Sequence, residues 1–314
     1  MSVFAIYNYE FEPIQKRWAE AALDGMGEVL MQASESFPKK QEIFGELLQR
    51  DFRKDKREDV IRFSIKQSDR EYIHRHLMPP TDDIIIMRVA NKKTHKIIDE
   101  ELREKRVDDY QNCIVIIDNR PGIQRILIEQ KKAAFTDTKQ TANILEQTFN
   151  RLLSRWSLAV KLYHLKDKRS FWQFANDLHT FPGGFHRVCF YLPYPNLERL
   201  RKVYDRLFSQ AQRSFASRMN MELHNPKGQV RLDENDPYQS EAIGWFMEDA
   251  GGTVKLYPVN SKKNPIIIGQ DSFRTVTVSD TVIRRVTEDA AGNSLFESPA
   301  LDEVKQKTKT GIDI

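Results

Sequence analysis

The chain has 314 residues, of which 40% are hydrophobic and 30% are charged, and its formal net charge is +4. A chain of this length can bury one large core or two smaller ones, and its 18 phenylalanines, 10 tyrosines and 4 tryptophans argue against overall disorder. No apolar run approaches the roughly 20 residues needed to cross a bilayer, and the amino-terminal segment lacks the pattern of a secretory signal, so we expect a cytoplasmic protein without membrane contact.

The first third of the chain alternates strand-like and helix-like segments. Val3 to Phe11 predicts an opening strand, and residues 15–37 carry apolar positions at helical spacing. Asp69 to Leu77 predicts a short helix that stops before two prolines. Asp83 to Ala90 is almost continuously apolar, which predicts a central strand covered on both faces.

The middle of the chain carries the clearest pattern. Two apolar runs flank the segment Asn119-Arg120-Pro121-Gly122, in which proline and glycine occupy the central positions of a type II turn, so a β-hairpin is predicted. A helix capped within Thr136–Thr138 follows, and Leu158 to Tyr163 returns to strand chemistry.

The order of elements predicts an α+β fold, with a mixed β-sheet and helices packed on it. The alternation after Tyr110 is also compatible with two related α/β halves. We predict an amino-terminal α/β domain at residues 1–109, a central and carboxy-terminal α/β domain at 110–279, and a flexible tail at 280–314, because the last segment is polar and poor in bulky residues.

One catalytic pattern stands out. Asp118 ends an apolar strand, and the next strand delivers Glu129 and Lys131, which share a face because strand side chains alternate. Nucleases of the restriction-endonuclease type use such a set to hold Mg²⁺ and to stabilise the attacking water or the phosphate. The competing interpretation is a solvated strand end, with Asp118 as a turn residue beside Asn119. Outside the nuclease hypothesis we predict no metal and no cofactor.

Two groups of basic residues suggest a nucleic-acid surface, because connectors rich in lysine and arginine can meet backbone phosphates. Solvated loops show the same composition, and acidic residues are interspersed, which is the competing interpretation. The candidate residues are Arg53, Lys54, Lys56, Arg57, Lys92, Lys93 and Lys96.

Three segments of the second half resemble a pattern found in uncharacterised bacterial proteins from phage-defence neighbourhoods: IDNRPGIQRILIEQKKAAF, YPNLERLRKVYDRLFSQAQ and EAIGWFMEDAGGTVKLY. The resemblance implies a cytosolic component of an antiviral defence system that binds nucleic acid or a partner subunit, and it supplies no catalytic residue. A Mg²⁺-dependent nuclease is the first alternative and a non-catalytic scaffolding subunit the second. The sequence leaves the oligomeric state open.

Overall fold

The computed structural model describes residues 1–14, 35–50, 60–65, 68–79, 81, 83–98, 100–193, 218–249, 252–259, 265–268, 274–292 and 298–310. Contacts divide the chain into two units, which are described separately. The first comprises Met1–Ala5, Phe11–Leu162 and Thr275–Ile314, and the second comprises Ile6–Glu10 and Tyr163–Arg274.

The described elements confirm the predicted α+β class, since helices and antiparallel strand pairs are both present. In chain order they are β1 (Ser2–Pro13), α1 (Lys40–Arg50), β2 (Val60–Ile65), β3 (Ser68–His76), β4 (Ile84–Ile98), β5 (Glu104–Asp118), β6 (Arg125–Glu129), α2 (Thr138–Leu153), β7 (Leu158–His164), α3 (Lys168–Ala175), β8 (Phe185–Pro193), β9 (Arg218–His224), α4 (Pro237–Gly244), β10 (Thr253–Pro258), β11 (Ile266–Ile268), β12 (Thr275–Val278), α5 (Asp280–Ala291) and α6 (Pro299–Thr310). A π-helix, Trp245–Asp249, follows α4 directly.

The first unit is built on a sheet with the strand order β12-β1-β6-β5-β4-β3-β2, in which β7 also pairs with β1. Its centre is covered on both faces, as the apolar runs predict, and every residue of β5 from Cys113 to Asp118 is buried. Cys113 interacts with Thr141 of α2, whereas Asp118 bonds to Thr308 of α6. Since odd and even residues of a strand point to opposite faces, α2 and α6 pack on opposite sides of this sheet.

The central hairpin and the helix after it form as predicted. Gly122 has a φ of +75°, the left-handed conformation that the turn requires and that glycine adopts without steric cost. Asp137 caps α2 by accepting a hydrogen bond from the main-chain N–H of Gln140. On the buried side of α2, Phe149 packs edge-to-face against Phe44 of α1, with the ring centroids 5.0 Å apart.

The segment Asp69–Leu77, predicted as a helix, is the strand β3 for nearly all its length. It pairs with β2 on one side and with β4 on the other, so two neighbouring strands complete its hydrogen bonds and override a weak local preference. The change of period also places His74 and His76 on one face, with ring centroids 5.6 Å apart.

The segment predicted as a flexible tail contains two helices, α5 and α6, over residues 280–291 and 299–310. Leu301 and Val304 of α6 are buried, and the helix packs on β6 and β12. The contact-based division also differs from the predicted domain boundary at residue 109. This boundary falls inside β5, whose backbone pairs continuously with β4, so no break in contacts occurs there.

The second unit contains a sheet with the strand order β11-β10-β8-β9. One face of this sheet packs on α3, on α4 and on the π-helix. The buried core between them consists of Phe171, Trp172, Ala175, Phe185, Val188, Phe190, Ile243, Phe246, Met247, Val254, Leu256 and Ile268. Lys166 is buried next to this core, where its Nζ donates to the carbonyl oxygen of Gly252 and to the hydroxyl of Thr253, at 2.8 Å each.

Among the described helices, none combines the length and apolarity needed to cross a membrane.

Candidate functional site: the hairpin arm

The three residues of the predicted nuclease site do not come together. Asp118 pairs with Arg125, whereas the register of β5 and β6 carries Glu129 to a position opposite Ile114. Four residues at about 3.3 Å each separate these positions, which is about 13 Å along the strands. One Glu129 oxygen accepts from the Ile114 main-chain N–H at 2.9 Å and the other from the Ser2 hydroxyl at 2.7 Å, while Lys131 lies exposed beyond the end of β6.

Asp118 instead belongs to a clamp that fastens α6, consisting of Asp118, Arg120, Arg125 and Thr308. The carboxylate of Asp118 is fully buried and accepts hydrogen bonds from Nε and Nη2 of Arg120, at 3.0 and 2.7 Å, and from the hydroxyl of Thr308. The hydrogen bond with Asp118 raises the pKa of Arg120. Within the described residues, no group of three or more histidine, cysteine or acidic side chains is placed to hold a metal ion.

Both arginines of the clamp also bind main-chain carbonyl oxygens of α6. Arg120 donates to Lys305 O at 2.7 Å, and Arg125 donates to Thr308 O at 2.8 Å and to Lys309 O at 2.6 Å. The last carbonyls of a helix, here those of Thr308 and Lys309, lack partners within the helix and carry partial negative charge, so the guanidinium group of Arg125 satisfies and stabilises them. The geometry therefore gives Asp118 a structural task.

The predicted basic residues fall into two groups. Arg53, Lys54, Lys56 and Arg57 lie outside the described residues. Lys92, Lys93 and Lys96 lie on β4, where they already have partners: Lys92 pairs with Asp108 at 2.7 Å, Lys96 pairs with Glu104 at 2.7 Å, and Lys93 donates to Ala133 O at 2.7 Å. A phosphate would have to displace these contacts.

These lysines belong to a two-stranded projection, which we call the hairpin arm, formed by residues 92–98 of β4, residues 104–110 of β5 and the loop that connects them. The described pairing of β4 with β3 ends at Asn91 and Tyr72, but pairing with β5 continues from Lys92–Tyr110 to Ile98–Glu104. Seven further residue pairs at about 3.4 Å per residue give the arm a length of about 24 Å.

The charges of the hairpin arm cancel. Residues 92–110 contain six lysines and arginines and six acidic residues. The ion pairs join the two strands, and the hydrogen bonds that Asp108 accepts from Lys92 and Thr94 lower the pKa of that carboxyl. Nucleic-acid binding is driven largely by the attraction of excess positive charge to phosphates, and the arm has no such excess.

The end of the hairpin arm is apolar and exposed. Ile97 is 45% exposed, Ile98 is 71% exposed and Leu102, in the connecting loop, is 86% exposed. Leu102 also has a φ of +61°, a left-handed conformation that is unfavourable for a bulky side chain. A strained leucine presented to solvent at the end of a projection is typical of a binding element rather than of a loop chosen for stability.

Sequence reasoning missed the apolar end because it considered Lys92, Lys93 and Lys96 only as a basic group that could meet phosphates. The available signal was the pair Ile97-Ile98 immediately before the acidic segment Asp99-Glu100-Glu101, which indicates a turn after Ile98. Such a turn lets the charged residues on either side pair across two strands.

No protein-family model matches the chain, and no curated protein matches it in sequence. The assignment of a function therefore depends on the geometry described above.

Proposed function

We propose that the protein is a subunit that assembles with a protein partner through the hairpin arm. The observation that carries this proposal is the exposed apolar end of the hairpin arm, whose seven residue pairs give it a length of about 24 Å. Large apolar side chains at the tip of a charge-balanced arm are suited to an apolar protein surface, because their burial is favourable and no net charge has to be neutralised.

A second copy of the chain is the simplest partner. Within the part of the chain that the structure describes, no third strand pairs with the hairpin arm beyond Asn91, so main-chain groups on both outer edges can pair with another strand. Antiparallel pairing of two identical edges satisfies a twofold axis. A companion subunit with an apolar groove would use the same tip. The setting that we propose, a cytoplasmic bacterial system of antiviral defence, rests on the sequence resemblance given above.

The experiment compares sedimentation of the wild-type protein with that of Ile98→Asp and Leu102→Asp. Each substitution places a charge where an apolar side chain should be buried, so we expect self-association to weaken by at least tenfold. Leu178→Asp is the matched control, since Leu178 is an exposed leucine of the second unit.

A companion subunit is tested by co-purification with the products of neighbouring genes and by phage plaque counts. If the wild-type protein is monomeric, the two arm variants should still lose the companion and the protection. Unchanged sedimentation, co-purification and plaque counts in both variants would refute the proposal.

A further inference from the structure

The sheet of the second unit has a second face that is polar and aromatic. The apolar residues Val188, Phe190, Val254 and Leu256 point to the core, so their neighbours in sequence point to the opposite side. Register places Arg187 beside Tyr257 and His224, and Cys189 beside Lys255 and Glu222. The described residues of this face, which we call the tyrosine face, are Arg187, Cys189, Tyr191, Asn220, Glu222, His224, Thr253, Lys255, Tyr257 and Ile267.

Each tyrosine of this face has its own cation. The guanidinium of Arg187 lies 3.8 Å from the ring centroid of Tyr257, and Nζ of Lys255 lies 4.7 Å from that of Tyr191. The attraction between a cation and the electron-rich face of a ring holds both groups in place. Arginine and lysine are thus fixed beside the two flat rings, across two neighbouring strands.

Tyr191 stays neutral at physiological pH. Partial burial, together with the hydrogen bond to Tyr257, raises the pKa of Tyr191 to about 12. A neutral phenol next to a cation presents no negative charge that would repel a phosphate. Both rings are only partly buried, and along the edge strand β9 the side chains of Asn220, Glu222 and His224 are exposed.

The charge balance of the tyrosine face differs from that of the hairpin arm. Among its described residues, Arg187 and Lys255 are cationic and Glu222 is the one carboxylate, while His224 adds a further positive charge when protonated. Glu222 is held by local contacts, since the thiol of Cys189 donates to it at 3.4 Å and His224 lies 4.0 Å away. The two cations beside the rings have no carboxylate directly opposite them in the register of β8 and β10.

We propose that the tyrosine face binds single-stranded nucleic acid. Unpaired bases stack on aromatic side chains displayed by an antiparallel sheet, and lysine or arginine beside the ring meets the phosphate of the same strand. A duplex is a poorer fit, because its bases are already stacked and a flat sheet cannot enter its grooves. This site shares no residue with the hairpin arm. Its cations lie beside aromatic rings in a sheet, whereas the sequence pattern suggested cations in connectors.

The test measures fluorescence anisotropy of labelled 12-nucleotide oligo(U) and oligo(dT) with the full chain at 50 and 200 mM salt. We expect binding at low salt that weakens as salt rises, and weaker binding of a matched 12-base-pair duplex. Tyr257→Ala should weaken binding by roughly 5- to 150-fold, because stacking contributes about 1–3 kcal/mol per base. Tyr257→Phe retains the ring and should bind within about threefold of wild type. Comparison of oligo(U) with oligo(dT) shows whether RNA or DNA is preferred.

Further variants keep the proposal testable if Tyr257→Ala fails to fold. Lys255→Gln and Arg187→Gln should each lower the slope of log affinity against log salt by about one. Arg231→Gln is the control, because Arg231 is an 89% exposed cation of the same unit that lies outside the sheet. No binding of either oligonucleotide at 50 mM salt, or equal affinities for Lys255→Gln, Arg187→Gln and Arg231→Gln, would overturn the inference.

Discussion

Replacing Asp118 with asparagine should loosen α6, because it removes the carboxylate charge that pairs with Arg120 in the clamp. Asp118 accepts three hydrogen bonds from Arg120, including one from its main-chain N–H at 3.2 Å, and one from Thr308. Removing one member of a buried ion pair costs about 3–5 kcal/mol. The Arg120 side chain is 23% exposed, so water recovers part of that loss, and we expect the free energy of unfolding to fall by about 2–4 kcal/mol.

Urea denaturation measures the total effect, and hydrogen exchange of the α6 amides locates it. If the clamp fails locally, amides in residues 303–310 should exchange at least about tenfold faster, while those of α2 change less. Asp108→Asn is the matched control, since Asp108 is an acid of the same strand in an exposed ion pair with Lys92, and its replacement should have little effect. A loss below about 1 kcal/mol with unchanged exchange in α6 would show that the clamp does not hold this helix.

Two further predictions concern the core of the second unit and the central turn. Burial lowers the pKa of Lys166 to about 8, whereas an unfolded lysine titrates near 10.4, so the unfolded chain binds more protons between these values and the free energy of unfolding should rise with pH. Relative to Lys166→Met, wild-type stability in urea melts should therefore increase by about 2 kcal/mol from pH 7.5 to pH 10, and a flat difference would contradict the burial of a charged amine. Gly252→Ala should destabilise by about 2 kcal/mol or more, because the new methyl group would lie 2.1 Å from the Phe246 ring. Gly122→Ala, with free space around it, should cost only the left-handed strain of about 1 kcal/mol, and equal thermal shifts for the two variants would refute the steric argument.

The central hairpin could be predicted because its determinants are local. Pro121 and Gly122 specify the turn, Asp137 specifies the start of α2, and the apolar run before Asp118 specifies a buried strand. A tight hairpin also separates Asp118 from Glu129 whatever the rest of the fold does, so the local pattern itself argues against the nuclease hypothesis.

The features that could not be predicted depend on distant partners. The polar segment of α6 is ordered through contacts of Thr308 with Asp118, which is 190 residues earlier in the chain. β3 is a strand because β2 and β4 flank it, although its own residues suit a helix almost as well. The tyrosine face could not be predicted because its composition depends on the register of three strands. Nothing in the sequence indicates that Arg187 and Tyr257 are neighbours in the sheet.

The ion pairs of the hairpin arm stabilise a ribbon of only two strands. A two-stranded ribbon without a third strand is marginally stable in water, so an arm of this length needs additional contacts to keep its shape. Lys92–Asp108 and Lys96–Glu104 join its strands, and at its base Asn91 and Lys93 bond to the carbonyl oxygens of Ala134 and Ala133. An arm held in one conformation loses less conformational entropy when its tip is buried by a partner, which strengthens binding without any further contact. The lysines that resemble a phosphate-binding set in the sequence thus act within the protein, where they stabilise the arm that we propose presents Ile97, Ile98 and Leu102 to a partner protein.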